Sequence, residues 1–243
     1  MKTALITGAS GGIGSAVAKR LAADGISVML MYNDAKEKAL QVLAELSSME
    51  IICDAVQCNV ADSQSVNDAV ARTIESFGHI DYLVNCAGIS RRELLIDTTD
   101  EGWNEMLSVN LTGVFNTCRA VLPGMFERHS GKIVNISSIW GQVGASCETV
   151  YSATKAGVIG LTKALAKETA PSGITVNCVS PGCVDTLMMS DFSQDEIQEL
   201  YDEIPLGRFA RPEEVADTVA FLLSDSADYI TGQNIGINGG FVI

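Results

Sequence analysis

The chain of 243 residues carries only two histidines, His79 and His129, too few for a histidine-based metal centre. Cations are also scarce: 16 Lys and Arg stand against 30 Asp and Glu, a net charge of -14. Such a surface is repelled by nucleic-acid phosphates and by anionic lipid, and no basic run offsets the excess. Neither nucleic acid nor a membrane is therefore expected as a partner. No stretch of about 20 apolar residues is present. The apolar run after Met1-Lys2-Thr3 turns at Gly8, too short for the apolar region of a signal peptide. The seven cysteines, at 53, 58, 86, 118, 147, 178 and 183, are odd in number and include no C-x-x-C pair. Reduced, mostly buried thiols in a cytoplasmic protein are the expectation.

What is abundant is core material, with 47% hydrophobic and 19% charged residues. Continuous aliphatic or β-branched runs at 4–7, 28–32, 51–57, 82–85, 132–137, 174–179 and 234–237 read as strands buried on both faces. Amphipathic stretches at 12–23, 34–48, 63–77, 103–128, 149–169 and 212–223 read as helices. Asp34 and Ser63 suit N-caps, and Pro212 suits a first helical turn. Alternation of the two predicts an α/β fold, a doubly wound parallel sheet of about seven strands with helices on both faces. No linker or internal repeat interrupts it, so residues 1–243 are expected to form one domain. The segment 185–211 breaks the rhythm, mixing Leu187, Met188, Met189 and Phe192 with Asp195-Glu196 and a Pro205-Leu206-Gly207 corner. A substrate lid and a surface helical hairpin both fit it.

The sequence T-G-A-S-G-G-I-G follows the first strand and opens the first helix. Gly8 allows a tight turn, Gly12 lets backbone amides approach a pyrophosphate, and Gly14 lets helix and strand lie close. Dinucleotide binding is the reading, with Ser10, Gly11 and Ile13 completing the loop. An acidic residue commonly ends the second strand of NAD-preferring folds. Here Tyr32 stands there, followed by Asn33 and Asp34, and the nearest cation is Lys36. Without that carboxylate a 2′-phosphate is not repelled, so NADP(H) is favoured while NAD(H) stays open.

Tyr151 and Lys155 lie four apart on a helix and share a face, Ser138 ends the preceding strand, and Asn110 falls in the long helix before it. Carbonyl reduction needs a proton donor at the oxygen that receives the negative charge, and a free tyrosine titrates near pH 10. An ammonium one turn away is expected to lower that value. Ser138 would hold the substrate oxygen, and Asn110 a water that passes protons onward.

These motifs in this order resemble the short-chain dehydrogenase/reductase family. The matches run through T-G-A-S-G-G-I-G, N-C-A-G at 85–88, V-N at 109–110, I-S-S at 136–138, Y-S-A-T-K at 151–155, S-P-G at 180–182 and the I-N-G-G near the end. The resemblance implies Asn110, Ser138, Tyr151 and Lys155 as catalytic, Lys155 also binding the nicotinamide ribose. It implies Asn59 and Val60 at the adenine, Asn85, Ala87 and Gly88 along the cofactor, and Pro181, Gly182, Val184 and Thr186 at the nicotinamide end. Cys86 stands where asparagine is commoner, and Leu187 where many relatives carry an acid.

Within the family the length and ending look most like 3-oxoacyl-acyl-carrier-protein reductases, which implies a ketone on a carrier protein reduced with NADPH. Arg91, Arg92, Arg128 and Lys132 form a thin cationic patch for an acidic carrier. The stretch 137–148 is also similar to reductases of a 5-aminopentanone on elongation factor P. There Trp140, Gln142 and Glu148 would sense substrate beside Ser138, with Leu187 and Met188 from the lid, and Glu148 would suit an amine-bearing ketone. The plain alternatives are that Trp140 packs in the core and Glu148 caps its helix. A catalytically silent dinucleotide sensor is the reading from another class, and it has little need of four catalytic positions. Small residues at Ala153, Gly157, Gly160 and Ala164 form a stripe that fits either the chain's own sheet or a second helix. The family implies a homotetramer.

Overall fold

The computed structural model describes residues 1–49, 51–190 and 192–243, the Met188 side chain excepted. The described residues form seven parallel strands: β1 (Thr3–Thr7), β2 (Ser27–Tyr32), β3 (Cys53–Gln57), β4 (Tyr82–Asn85), β5 (Gly131–Ile136), β6 (Ile174–Pro181) and β7 (Asn234–Ile237). Their order is β3-β2-β1-β4-β5-β6-β7. The order reverses between β1 and β4, and it is beyond the carboxyl ends of the strands at such a switch point that ligands bind in open α/β sheets.

The unbroken hydrophobicity of the strands has its cause in the two cores. Ala4, Ile6, Val28 and Leu30 face one cluster with Val17 and Leu21 of α1 (Gly12–Ala23), Leu46 of α2 (Lys36–Leu46) and Val219 of α9 (Pro212–Leu223). Leu5, Met29 and Met31 point the other way, onto Val66 of α3 (Ser63–Phe77), Val121 of α5 (Gly113–Arg128) and Val158 of α7 (Thr149–Thr169). Side chains alternate across a strand, so a sheet covered on both sides favours apolar residues at successive positions rather than every second one.

Two helix starts differ from expectation by one residue. Asp62, not Ser63, caps α3, its carboxylate accepting from Gln64 N at 2.9 Å. At α2 the cap position is Ala35, and the Asp34 carboxylate accepts from the Asn33 side chain at 2.7 Å instead. The helix expected at 103–128 is three pieces: α4 (Asp100–Leu107), a π-helical turn (Ser108–Thr112) and α5. A Cβ at Gly113, where α5 begins, would lie 2.7 Å from the Val60 side chain, so a larger residue here would push Val60 aside.

The irregular segment 185–211 holds a 3₁₀ turn (Leu187–Met189) and α8 (Gln194–Glu203), the latter started by a reciprocal Ser193–Glu196 capping box. One helix and a short turn are present among its described residues, rather than a hairpin of helices. Its two ends are tied together by Asp185 N to Ala210 O and Ala210 N to Cys183 O, both 2.9 Å. Residue 191 and the Met188 side chain lie outside the described residues.

Candidate active site

The glycine loop is shaped by what would collide with a side chain. Gly8 has φ +61°, and a Cβ there would lie 2.8 Å from the backbone of Ala87 after β4. At Gly14 a Cβ would stand 2.3 Å from Gly8 O, so loop and helix touch backbone to backbone. Gly12 abuts Thr186, whose Cγ2 would be 2.5 Å from a Cβ. Helix α1 has Gly11 at its N-cap position, so no side chain caps it, and no acidic residue stands in its first turn. Free amides and an uncompensated positive helix end form a seat for an anion, and the close approach at Gly12 suits a pyrophosphate. The residues fit a nicotinamide dinucleotide. Ser10 and Gly11 lie on the rim of this loop, and Ile13 packs toward the core beneath it.

Along the rest of the cleft, Tyr32 ends β2 at only 8% exposure, whereas Asn33 and Asp34 beyond it are exposed. The first exposed side chain past the strand end is thus Asn33. Asn59 turns the chain after β3, its side chain accepting from Ala61 N at 3.0 Å, and the Val60 carbonyl is held by Asn116 at 2.9 Å. Asn85 is buried. Its side chain turns inward, donating to Asn135 and accepting from Thr117 at 2.8 and 2.7 Å, so only its backbone end reaches the cleft. Thr7 Oγ1 accepts from Cys86 N and Ala87 N, fixing the bend that carries Ala87 and Gly88 forward. Pro181, Gly182 and Val184 lead from β6 to Thr186; Gly182 lies against Asn238, where a Cβ would be 3.0 Å from its backbone.

Asn110, Ser138, Tyr151 and Lys155 come together around Gly88. A Cβ there would be 3.3 Å from both Asn110 Oδ1 and Lys155 Nζ. The π-helical turn carries Asn110 inward to 0% exposure, where its amide pairs with the backbone of Ile89, N and O each at 2.8 Å, and donates to Thr154 at 3.2 Å. Both amide hydrogens are used, so the side chain is a brace rather than the donor to a water. Ser138 Oγ, just past β5, accepts from Trp140 N at 3.2 Å.

The electrostatics differ from expectation at one point. Burial pushes the Tyr151 phenol up to about 12 and the Glu148 carboxylate adds to this, opposed by the nearby Ser138 hydroxyl. The Lys155 ammonium, 5.6 Å from the ring centroid, donates to Ile136 O at 2.9 Å rather than to the phenol. Desolvation holds Lys155 itself down to about 8, with Cys178 and Cys86 opposing. The result is a phenol that keeps its proton at neutral pH beside a lysine poised near neutrality.

Of the residues expected at the substrate, Trp140 and Glu148 adjoin the cluster. Trp140 begins the short helix α6 (Trp140–Val143), packs on Tyr151 and meets Phe241 edge-on at 5.6 Å. Glu148 holds the N-cap position of α7, but its side chain makes no cap bond; its carboxylate accepts from Ser90 at 3.2 Å, and burial pushes it up against the pull of Ser90 and Arg92. Gln142 is exposed, and Leu187 is 71% exposed, so neither packs against the cluster. The Met188 side chain is outside the described residues. The cationic patch dissolves on inspection of its partners. Arg91 pairs with Glu105, Arg92 with Glu196 and Lys132 with Asp228, while Arg128 donates to Ile80 O. Lys132 also pairs in register with Tyr82, at the opposite ends of the strands from the cluster.

Three contributors left no clear mark in the sequence: the π-helical turn, Ser90, and Gly141. A Cβ at Gly141 would stand 2.7 Å from the Lys155 backbone, so α6 can lie on α7 only with glycine there. The single signal available was the glycine two residues before α6 ends, which has no turn to explain it.

A family model described as "Enoyl-(Acyl carrier protein) reductase" matches residues 8–242. The 3-oxoacyl-[acyl-carrier-protein] reductase FabG of Staphylococcus aureus is 45% identical over 239 residues, 98% of this chain and 97% of its own. A Bacillus subtilis protein named "Uncharacterized oxidoreductase YmfI" is 44% identical over 241 residues, covering 99% and 98%. The FabG of Thermotoga maritima is 42% identical over 242 residues, covering 100% and 98%.

Proposed function

We propose, given that this chain belongs to the short-chain dehydrogenase/reductase family and is an oxidoreductase of ketone and alcohol groups, that it reduces a 3-oxoacyl thioester on acyl carrier protein to the 3-hydroxyacyl form with NADPH. The observation that carries this is the closeness of two buried hydroxyl-bearing side chains, Ser138 and Tyr151, at an interior position beside Lys155 and next to the glycine loop. Two hydroxyl donors meeting at one point suit a single carbonyl oxygen. When bound, the nicotinamide supplies the hydride. Ser138 holds the ketone oxygen, and Tyr151 gives its proton to that oxygen as negative charge develops. A phenol near 12 is fully protonated at neutral pH, the form a reduction needs. Lys155 leaves Ile136 O to bind the ribose and to stabilise the phenolate left behind. Asn110 acts through the backbone it braces. The relatives named as 3-oxoacyl-acyl-carrier-protein reductases support this choice of substrate.

The same reading includes a lid over residues 185–211 and a homotetramer. Support for the tetramer comes from α5 and α7, which leave an apolar groove of about 550 Å³ between Phe115, Leu122, Phe126 and Leu165. Ala153, Gly160 and Ala164 are exposed on α7, turned from the chain's own sheet, so a second copy's helix is the partner the stripe fits. Light scattering that finds a monomer would remove this part.

A second reading has its own observation. The half-buried Glu148 carboxylate lies close enough to raise Tyr151 and would draw an ammonium, which favours an amino-ketone such as 5-aminopentanone on elongation factor P. The experiment is loss of NADPH absorbance with an acetoacetyl thioester, a 2-enoyl thioester as control and Tyr151→Phe as blank. Turnover of the ketone alone, falling about a thousandfold in the variant with NADPH binding kept, is the expected result. No turnover of either thioester by a protein that binds NADPH would sink the acyl reading. Reduction of the amino-ketone would then establish the second, and its failure would leave a sensor.

A further inference from the structure

Arg92 occupies a place that neither the cofactor nor the catalytic cluster explains. It follows Ser90 and Arg91 on the loop after β4, and Glu93 N donates to Cys147 O at 2.8 Å, which anchors the loop to the wall before α7. From there Arg92 reaches across to the 185–211 segment. Its Nη1 donates to Glu196 Oε1 at 3.1 Å, and its guanidinium lies 4.5 Å from the centre of the Phe192 ring. The segment's other end touches the opposite side of the cleft, through Thr186 against Gly12. It therefore bridges the glycine loop and the substrate wall.

We propose that Arg92 is a positioning residue for the substrate: its clasp on Phe192 and Glu196 holds the 185–211 segment against the wall that carries Glu148, and so sets the width of the cleft where a ketone enters. This rests on the reading of that cleft as a ketoreductase site. An isolated exposed ion pair contributes little. Two features lift this one above that level. The Glu196 carboxylate is already fixed by Ser193 N and Oγ at 2.9 and 3.0 Å, so little of its freedom is lost on pairing. The guanidinium also stacks on Phe192 while it pairs, using face and edge at once. Arg92 is also near enough to pull the Glu148 carboxylate down, so the clasp and the charge in the cleft are coupled.

The test is a double-mutant cycle of Arg92→Ala, Glu196→Gln and both together, with Arg92→Lys as the conservative variant. Glu196→Gln keeps a side chain able to cap α8. Both residues are well exposed, so folding is not at stake. Two readouts are taken: kcat and KM with an acetoacetyl thioester, and the rate at which a glutamate-specific protease cuts after Glu199 and Glu203. Each single variant is expected to raise KM about three- to tenfold, with kcat within about twofold, and to speed cleavage by a similar factor. The double variant should be no worse than the poorer single, and Arg92→Lys should recover part of the loss. Unchanged cleavage in Arg92→Ala, or effects that add in the double variant, would overturn the proposal. If no thioester is turned over, the ketoreductase reading fails on its own, and the protease arm still decides whether the clasp exists.

Discussion

Gly14 in the glycine loop and Gly141 beside Lys155 both bring backbone against backbone, yet they join very different things. Gly14 presses on Gly8, six positions away, within one strand–turn–helix unit. Gly141 presses on Lys155, joining α6 to α7 across the cleft. The proposed phosphate end of the site is therefore assembled locally, from backbone amides that need only the right turn. The proposed substrate end exists only after β5, α6 and α7 have docked, and it is made of side chains: Ser138, Trp140, Glu148 and Tyr151.

That contrast can be broken by a matched pair of methyl groups. Gly14→Ala places a carbon 2.3 Å from a carbonyl oxygen that cannot move without unmaking the turn. Its expected cost is about 3 kcal/mol, with loss of measurable NADPH binding, read by urea unfolding and fluorescence titration. Gly141→Ala should push α6 off α7 and lower kcat about tenfold through misplacement of Ser138, with NADPH affinity held within about twofold. Equal loss of NADPH binding in both variants would show that the two ends are one cooperative unit.

The same contrast explains what could be read from the chain. The glycine loop was legible because its chemistry is local: the glycines sit where strand turns to helix, and Gly8 takes the positive φ that such a turn requires. The strands were legible because two-sided burial leaves unbroken apolar runs. The residues of the proposed catalytic cluster were picked out by order and spacing, but their electrostatics were not legible. Tyr151 and Lys155 four apart on a helix implied a depressed phenol, and only the fold shows that Lys155 turns to Ile136 O while burial and Glu148 raise Tyr151. The π-helical turn at Asn110 was hidden for a related reason. Apolar periodicity runs through residues 103–128 without interruption, and the irregularity is dictated by Ile89 and Thr154, distant in sequence. The cationic patch failed because neighbours in composition lie at opposite ends of the strands.

A titration sharpens the comparison, because the substrate end buries a charge and the glycine loop buries none. Lys155 is held down to about 8 from an ordinary value of 10.5. Below pH 8 it is charged in both folded and unfolded chains, and the native state bears the whole desolvation penalty. Between about 8 and 10.5 the unfolded chain binds more protons, so the contribution of this group to stability rises with pH. Above that range the penalty is gone. Cofactor-free Lys155→Met is therefore expected to be more stable than the wild type by about 1–3 kcal/mol at pH 7, less whatever the lost bond to Ile136 contributes. The advantage should shrink as pH rises through 8. Chemical unfolding at pH 7, 8.5 and 9.5 measures it, and an advantage that does not vary with pH would mean the lysine is not desolvated in solution.

The smallest effect concerns the far edge of the dinucleotide end, where the local rule is itself modified by burial. Sequence position makes Tyr32 the residue that reads the ribose, but it is 8% exposed and Asn33 is the first group in the open. Asn33→Asp puts a carboxylate where the proposed NADPH reading places the 2′-phosphate, and it releases the Asp34 carboxylate that Asn33 now holds at 2.7 Å. Two free carboxylates there are expected to shift the ratio of kcat/KM for NADPH over NADH by about tenfold toward NADH. Tyr32→Asp should behave differently, losing stability because it places a carboxylate in a buried position. A swing in preference with Tyr32→Asp and none with Asn33→Asp would return the selecting role to the strand end. It would also mean that the edge opens further in solution than the packing around Tyr32 allows.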